Sequence, residues 1–189
     1  MMRKILFLAF TVLLFQKSDQ QLLKNLIKSV RQITQYPRAQ CKITWKIPTD
    51  CNTARTKIQT QMNAWKETNE KADACPGTSG SCPKLPCGQR CRYVFEEIDE
   101  NGSITGYHLT PAKSYRDNVS FEFSDDGNSC NVVGFSKSTV SYAFLDFGTN
   151  YCNLRNLLDG AGLAVGNGFQ ESTSTQICTQ YDQLNCNRY

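Results

Sequence analysis

Histidine is the scarcest reactive residue: the 189-residue chain holds one, His108. A lone histidine excludes the usual zinc-hydrolase set and every histidine-pair metal site. Any Ser-His-Asp or Cys-His arrangement would need His108 as its base, and no Gly-x-Ser-x-Gly elbow accompanies it. Within Gly106-Tyr107-His108-Leu109 it reads as a strand histidine, so no catalytic residue is assigned and the chain is not expected to be an enzyme. No Cys-x-x-Cys pair occurs, which disfavours a redox-active dithiol and a zinc knuckle. Calcium loops are missing too: neither Asp99-Glu100-Asn101-Gly102 nor Asp125-Asp126-Gly127-Asn128 has the alternating oxygen ligands. Gly160-Ala-Gly162-Leu-Ala-Val-Gly166 lacks the βαβ context of a dinucleotide loop. No metal or cofactor is therefore expected. Glu96, Glu97, Asp99 and Glu100 form the one cluster in which a pair of glycosidase-like acids could be sought, and a solvated hairpin end accounts for them as well.

Long apolar runs are also lacking. The longest, Ile5–Phe15, falls well short of the ~20 residues that span a membrane. Arg3 and Lys4 before it and polar residues from Gln16 onward give the pattern of a secretory leader. We expect residues 1–18 to be the signal peptide and residues 19–189 the exported domain, with no transmembrane anchor. Removing Arg3, Lys4 and Lys17 leaves 18 basic residues (21 − 3 = 18) against 17 acidic ones. A chain so close to neutral has no electrostatic basis for holding nucleic acid.

What is abundant is cysteine. Ten residues, Cys41, Cys51, Cys75, Cys82, Cys87, Cys91, Cys130, Cys152, Cys178 and Cys186, all lie after the leader. In an exported chain an even count points to as many as five disulfides. Four fall in Cys75–Cys91, a stretch broken by prolines and glycines that reads as a stapled loop between a helical and a β part. Cys41 and Cys51 could close a small loop around Ile43-Thr-Trp45-Lys-Ile47-Pro48, and the sequence leaves the disulfide pairing open.

Before the stapled loop, Leu22, Leu23, Leu26, Ile27, Val30 and Ile33 form one helical stripe, ended by Pro37. Ile58, Met62, Trp65 and Ala72 form another, with Asp50 or Thr53 as N-cap. After it, Tyr93–Ile98 and Ile104–Leu109 flank an Asn-Gly hairpin turn. Asn118–Ser124, Asn131–Phe135 and Val140–Phe144 follow as further strands. Leu154, Leu157 and Leu158 suggest one helical turn, and Phe169–Ile177 a last strand. Short spacers between strands imply an antiparallel meander.

Two sequons, Asn101-Gly-Ser103 and Asn118-Val-Ser120, are candidate N-glycosylation sites. Phe121, Phe123, Tyr142 and Phe144 form a candidate apolar ligand face, although aromatics at such spacing also serve as core.

The run Phe144-Leu-Asp-Phe-Gly-Thr-Asn-Tyr-Cys-Asn-Leu-Arg-Asn-Leu157, with Cys178-Thr-Gln-Tyr181, resembles uncharacterised secreted cysteine-rich proteins of molluscs and other aquatic animals, some of them found in shell organic matrix. The likeness covers about Cys75 to Cys186 and implies no activity. Asn128-Ser-Cys130 to Cys152 is similar to the late strands of lipocalins, with fewer strands, two preceding helices and no Gly-x-Trp near the start.

The expected fold is α+β, N-terminal helices packed on a disulfide-stapled antiparallel meander, with a lipocalin-like β-barrel as the alternative. The expected function is that of a secreted, non-enzymatic extracellular binding or matrix protein, its partner being matrix, a glycan or a small apolar ligand. The alternative is a lipocalin-like carrier.

Overall fold

A computed structural model describes residues 38–66, 91–110 and 114–186, with residues 19, 20 and 24. The chain divides into two units, Met1–Pro37 and Arg38–Tyr189, and the second carries the architecture below. The stripe between Leu22 and Ile33 lies outside the described residues apart from Lys24, which is helical. Cys75, Cys82 and Cys87 also lie outside them, and Cys91 is disulfide-bonded.

The elements are β1 (Gln40–Ile47), α1 (Cys51–Ala64), β2 (Tyr93–Ile98), β3 (Ile104–Leu109), β4 (Arg116–Asp125), β5 (Cys130–Ser138), α2 (Thr149–Gly160) and β6 (Gln170–Ser172). A 3-10 turn follows at Tyr181–Gln183. The strands form one sheet in the order β2-β3-β4-β5-β1-β6, antiparallel throughout. Strands β2 to β5 make the meander, and β1 adds to its far side against β5. The fold is α+β. Its sheet is open, with β2 and β6 at the edges, and no pairing among the described residues closes a barrel.

Alternation sets which face is covered. In β1, Cys41, Ile43, Trp45 and Ile47 are buried, and in β4, Asp117, Val119 and Phe121 point the same way. Helix α1 lays Ala54, Ile58 and Met62 on this face, and α2 adds Leu154, Leu157 and Leu158. The Trp45 and Phe121 rings stack with centroids 6.4 Å apart at the centre. Asp50 caps α1, its carboxylate accepting from the Thr53 amide at 2.8 Å. Removing such a cap costs ~1 kcal/mol.

Cys41 and Cys51 are not paired with each other. Cys41 bonds Cys178, Cys51 bonds Cys130, and Cys152 bonds Cys186. The reason is the length of β1: a strand rises ~3.3 Å per residue, so it carries the two cysteines to opposite ends of the sheet, beyond the ~7 Å limit for bridging. Val140–Phe144 is not a strand. β4 begins at Arg116, and Thr139 already donates its amide to the Arg116 carbonyl at 3.0 Å, so the chain beyond has no ladder to join. The single turn expected around Leu154 is a helix of 12 residues. The last strand shrinks to Gln170–Ser172.

Candidate binding surface and its buried support

The segment from Thr139 to Gly148 joins β5 to α2 and shows large apolar side chains to solvent. Tyr142, Phe144, Leu145 and Phe147 are between 40% and 66% exposed. Isolated exposed apolar residues are ordinary on protein surfaces, whereas here four fall within six positions of one loop.

The backbone beneath these side chains is held at many points. Thr139 donates its amide and its hydroxyl to the Arg116 carbonyl. The Ala39 amide donates to the Ala143 carbonyl at 2.6 Å, and the Ala143 amide to Val140 at 3.1 Å. The buried Gln180 accepts with Oε1 from the amides of Asp146 and Phe147, both at 2.8 Å. Phe147 has φ 51°, a left-handed conformation that a bulky residue rarely takes, and its ring is turned outward. Strain at an exposed aromatic persists only where surrounding bonds over-determine it. A loop fixed in this way loses little entropy when it is covered.

Under the loop lies a polar layer between α2 and the sheet. Asp146 turns its carboxyl group inward, accepting from the Gly148 amide (3.2 Å) and from the Asn150 amide and Nδ2 (3.0 and 2.8 Å). Gly148, at φ 78°, starts the helix without a side chain of its own, so Asp146 supplies the missing cap. Asn150, Asn153 and Asn156 then recur at intervals of three on the buried side of α2. Ser136 Oγ meets Asn150 Oδ1 at 2.7 Å, and Asn153 Nδ2 donates to Asp117 at 3.1 Å and to Ser136 at 3.3 Å. The Tyr93 hydroxyl donates to the Asn153 carbonyl at 2.9 Å.

Burial shapes the titration of this layer. It pushes Asp117 up to about 6, against hydrogen bonds from Asn153 and Ser138 and with a further push from Asp146. Burial also raises Asp146 to about 6, outweighing its bonds to Asn150 and Gly148. His108, fully enclosed and tilted against Tyr93 with centroids 4.7 Å apart, is driven down to about 3 by burial. The Cys91 backbone favours its charged form slightly and the Arg92 charge opposes it. Neither ring nitrogen reaches hydrogen-bond geometry with a partner; the same holds for Asn153 Oδ1 and both amide atoms of Asn156.

On the opposite side of α2, Glu171 of β6 collects three donors: Trp45 Nε1 (2.8 Å), the Tyr151 hydroxyl (2.8 Å) and Arg155 Nη1 (2.7 Å). One carboxylate thus ties the outer strand to the core tryptophan and to the helix. Burial and the Glu171 charge together raise the Tyr151 phenol above its ordinary range.

The residues singled out from sequence are spread widely. Phe121 is core, and Phe123 is half-buried beneath the Arg55 guanidinium, 5.1 Å from its ring centroid. Tyr142 and Phe144 belong to the exposed loop, so the structure divides the candidate ligand face between the helix-covered side of β4 and a solvent-facing loop. Asn101 lies exposed at the β2–β3 turn and Asn118 exposed on β4. Leu145, Phe147 and the asparagine stripe were not singled out. The intervals of Asn150, Asn153 and Asn156 are the signal from which the stripe could have been read. Among the described residues no cluster of three or more His, Cys, Asp or Glu could hold a metal ion, and no helix is long and apolar enough to cross a membrane. No family model, no curated protein and no solved structure matches the chain.

Proposed function

We propose that the chain is a secreted, non-enzymatic extracellular protein that works by binding, and that Thr139–Gly148 is its contact surface. One observation carries this reading: Tyr142, Phe144, Leu145 and Phe147 are exposed together on a backbone pinned from below by Gln180 and Asp146. Aromatic anchors on a preformed loop are the usual centres of binding energy. Disulfides that join β1 to the tail, α1 to β5 and α2 to the tail suit an oxidising, extracellular setting. The enclosure of His108, the chain's one histidine, removes it from contact with any substrate in solution and supports a non-enzymatic role. Assembly into extracellular matrix, shell matrix included, is the form of binding that the resemblance suggests.

The test is retention of the purified, oxidised chain on decellularised matrix of its own tissue. A variant with Tyr142, Phe144, Leu145 and Phe147 all changed to serine is compared with a Lys42→Ser control. We expect the quadruple variant to lose at least about tenfold in retention, since each covered aromatic contributes ~1–2 kcal/mol and tenfold is ~1.4. Equal retention of all three proteins would sink the assignment of the loop.

A further inference from the structure

We propose that Asn118 carries an N-linked glycan and that this glycan lies over the sheet face opposite the helices. The inference rests on the secretory reading above but concerns a different surface. Strand β4 alternates strictly through this region: Asp117, Val119 and Phe121 are buried toward the helices, while Asn118, Ser120 and Glu122 point the other way. The sequon Asn118-Val119-Ser120 therefore places its acceptor and its hydroxyl on the side away from α1 and α2. A register shifted by one would have driven Asn118 into the core, where no glycan fits.

The acceptor amide is also held in position. Arg116 Nε donates to Asn118 Oδ1 at 2.7 Å, which engages the oxygen and leaves Nδ2 as the outward group. The arginine is itself fixed, with its guanidinium 4.0 Å from the Tyr107 ring centroid and Nη2 2.9 Å from Glu96. Across the ladder, Asn118 faces Tyr107 on β3 and Lys137 on β5. Phe135, paired with Ser120, is the diagonal neighbour at ~7–8 Å, within reach of the first sugar. Val94, Tyr107, Val133 and Phe135 are all half-buried on this face, and among the described residues no helix packs over them. A sheet face with apolar side chains on both sides of β4 invites association with other sheets. A sugar chain rooted at Asn118 stands at the centre of this surface and keeps it solvated.

Attachment precedes folding, because a paired strand cannot enter a transferase site. Asn118 Nδ2 attacks the anomeric carbon of a lipid-diphosphate-linked oligosaccharide. The new C–N bond forms as the C–O bond to the diphosphate breaks; the amide gives up one proton and the lipid diphosphate leaves. The folded sheet then has only to accommodate the product, and Asn118 is exposed on it. Asn101, exposed at the tip of the β2–β3 hairpin, meets the same requirement on its own.

The test is expression of the full chain through a eukaryotic secretory pathway, followed by intact mass and peptide mapping before and after peptide-N-glycosidase. The expected result is loss of glycan mass from the wild type, with Asn118 recovered as aspartate in most molecules. Asn118→Gln and Ser120→Ala should each lack that glycan, and Ser120→Thr should keep it. The exported Asn118→Gln protein should also self-associate at lower concentration than the wild type. Exported, disulfide-bonded wild type with an unmodified Asn118 overturns the proposal while leaving the binding reading intact. Failure of the wild type to enter the pathway overturns both.

Discussion

Asn153 on α2 and Asp117 on β4 are joined by a 3.1 Å bond from amide nitrogen to carboxylate, inside the protein and beneath the exposed loop. The bond carries an electrostatic cost. Asp117 gains two side-chain donors, Asn153 and Ser138, but loses water, and the loss prevails, as the upward shift of its pKa records. Asp146, at the head of the same helix, is in the same position and repels Asp117 when both are ionised. The loop that we assign to binding is therefore anchored on groups that would be more comfortable protonated.

Mild acid should stabilise the protein. Asp117 and Asp146 have folded pKa values raised to about 6 from an ordinary 3.8, so the folded state binds more protons than the unfolded one between those limits, and stability falls as pH rises through them. From pH 7 to 4.5 the two groups together return ~4 kcal/mol. His108 acts oppositely: lowered from 6.5 to about 3, it binds fewer protons when folded and removes ~2–3 kcal/mol over the same interval. The net gain is ~1 kcal/mol, followed below pH 4 by a decline, because the carboxyl groups take up no further protons there while only the unfolded chain protonates His108. Denaturant titrations at pH 7, 4.5 and 3.5 check this. Asp117→Asn should abolish the gain, and His108→Leu should enlarge it and soften the acid decline. A wild type whose stability falls steadily from pH 7 to 4.5 would contradict the assignment.

The asparagine stripe should divide by what each amide does. Asn156 is enclosed and neither amide atom has a partner, so Asn156→Leu is expected to stabilise by ~1 kcal/mol through removal of that desolvation cost. Asn153→Leu takes a donor from Asp117 and from Ser136, and should cost ~2–3 kcal/mol at pH 7. Its penalty should shrink at pH 4.5, where Asp117 is protonated. Thermal melts of both variants at the two pH values decide the matter; similar losses for the two would mean that Asn156 has a role of its own.

Disulfide removal should rank by the loop each bond closes. Cys41–Cys178 spans 137 residues and Cys152–Cys186 spans 34. In the chain-entropy account the longer loop contributes ~1 kcal/mol more, and each bond ~3–5 kcal/mol in all. Paired serine variants, compared by guanidinium unfolding of the otherwise oxidised chain, should follow that order. The reverse order would show that the tail packing around Cys186 outweighs the entropy of closure.

The parts of the fold legible in the sequence are those where one physical signal acts alone. Asn101-Gly102 marks the hairpin of β2 and β3, alternation locates β4, and Asp50 is one of the two caps that the sequence offers for α1. Where two signals competed, local pattern misled. Tyr142 and Phe144 alternate like a strand, but the start of β4 at Arg116 leaves them without a partner, and that is a tertiary fact. Asn150, Asn153 and Asn156 dilute the apolar stripe of α2, so a three-turn helix read as a single turn. Cys41 and Cys51 are close along the chain and distant in space, because β1 is a full strand. The loop followed the same logic: aromatics normally indicate core, and only the end of the ladder puts Phe144 and Phe147 outside it.

Gly134 is a further case, and the sharpest to test. On β5 it faces the core where alternation calls for an apolar side chain, because the Trp45 indole fills that space. A Cβ there would lie 2.6 Å from Trp45 Cζ3 and 2.9 Å from Cη2. The indole cannot swing aside, since its Nε1 is bonded to Glu171 and its ring stacks on Phe121. Gly134→Ala should therefore destabilise by ~1–3 kcal/mol, although alanine is otherwise the better strand residue. In a Trp45→Phe background the distal ring atoms are gone, and the same substitution should cost much less. A double-mutant cycle on Gly134→Ala and Trp45→Phe measures the coupling. A coupling near zero would mean that the close approach of glycine to indole is not what holds β5 against β1, and the tie from Glu171 through Trp45 to α2 would have to be reconsidered with it.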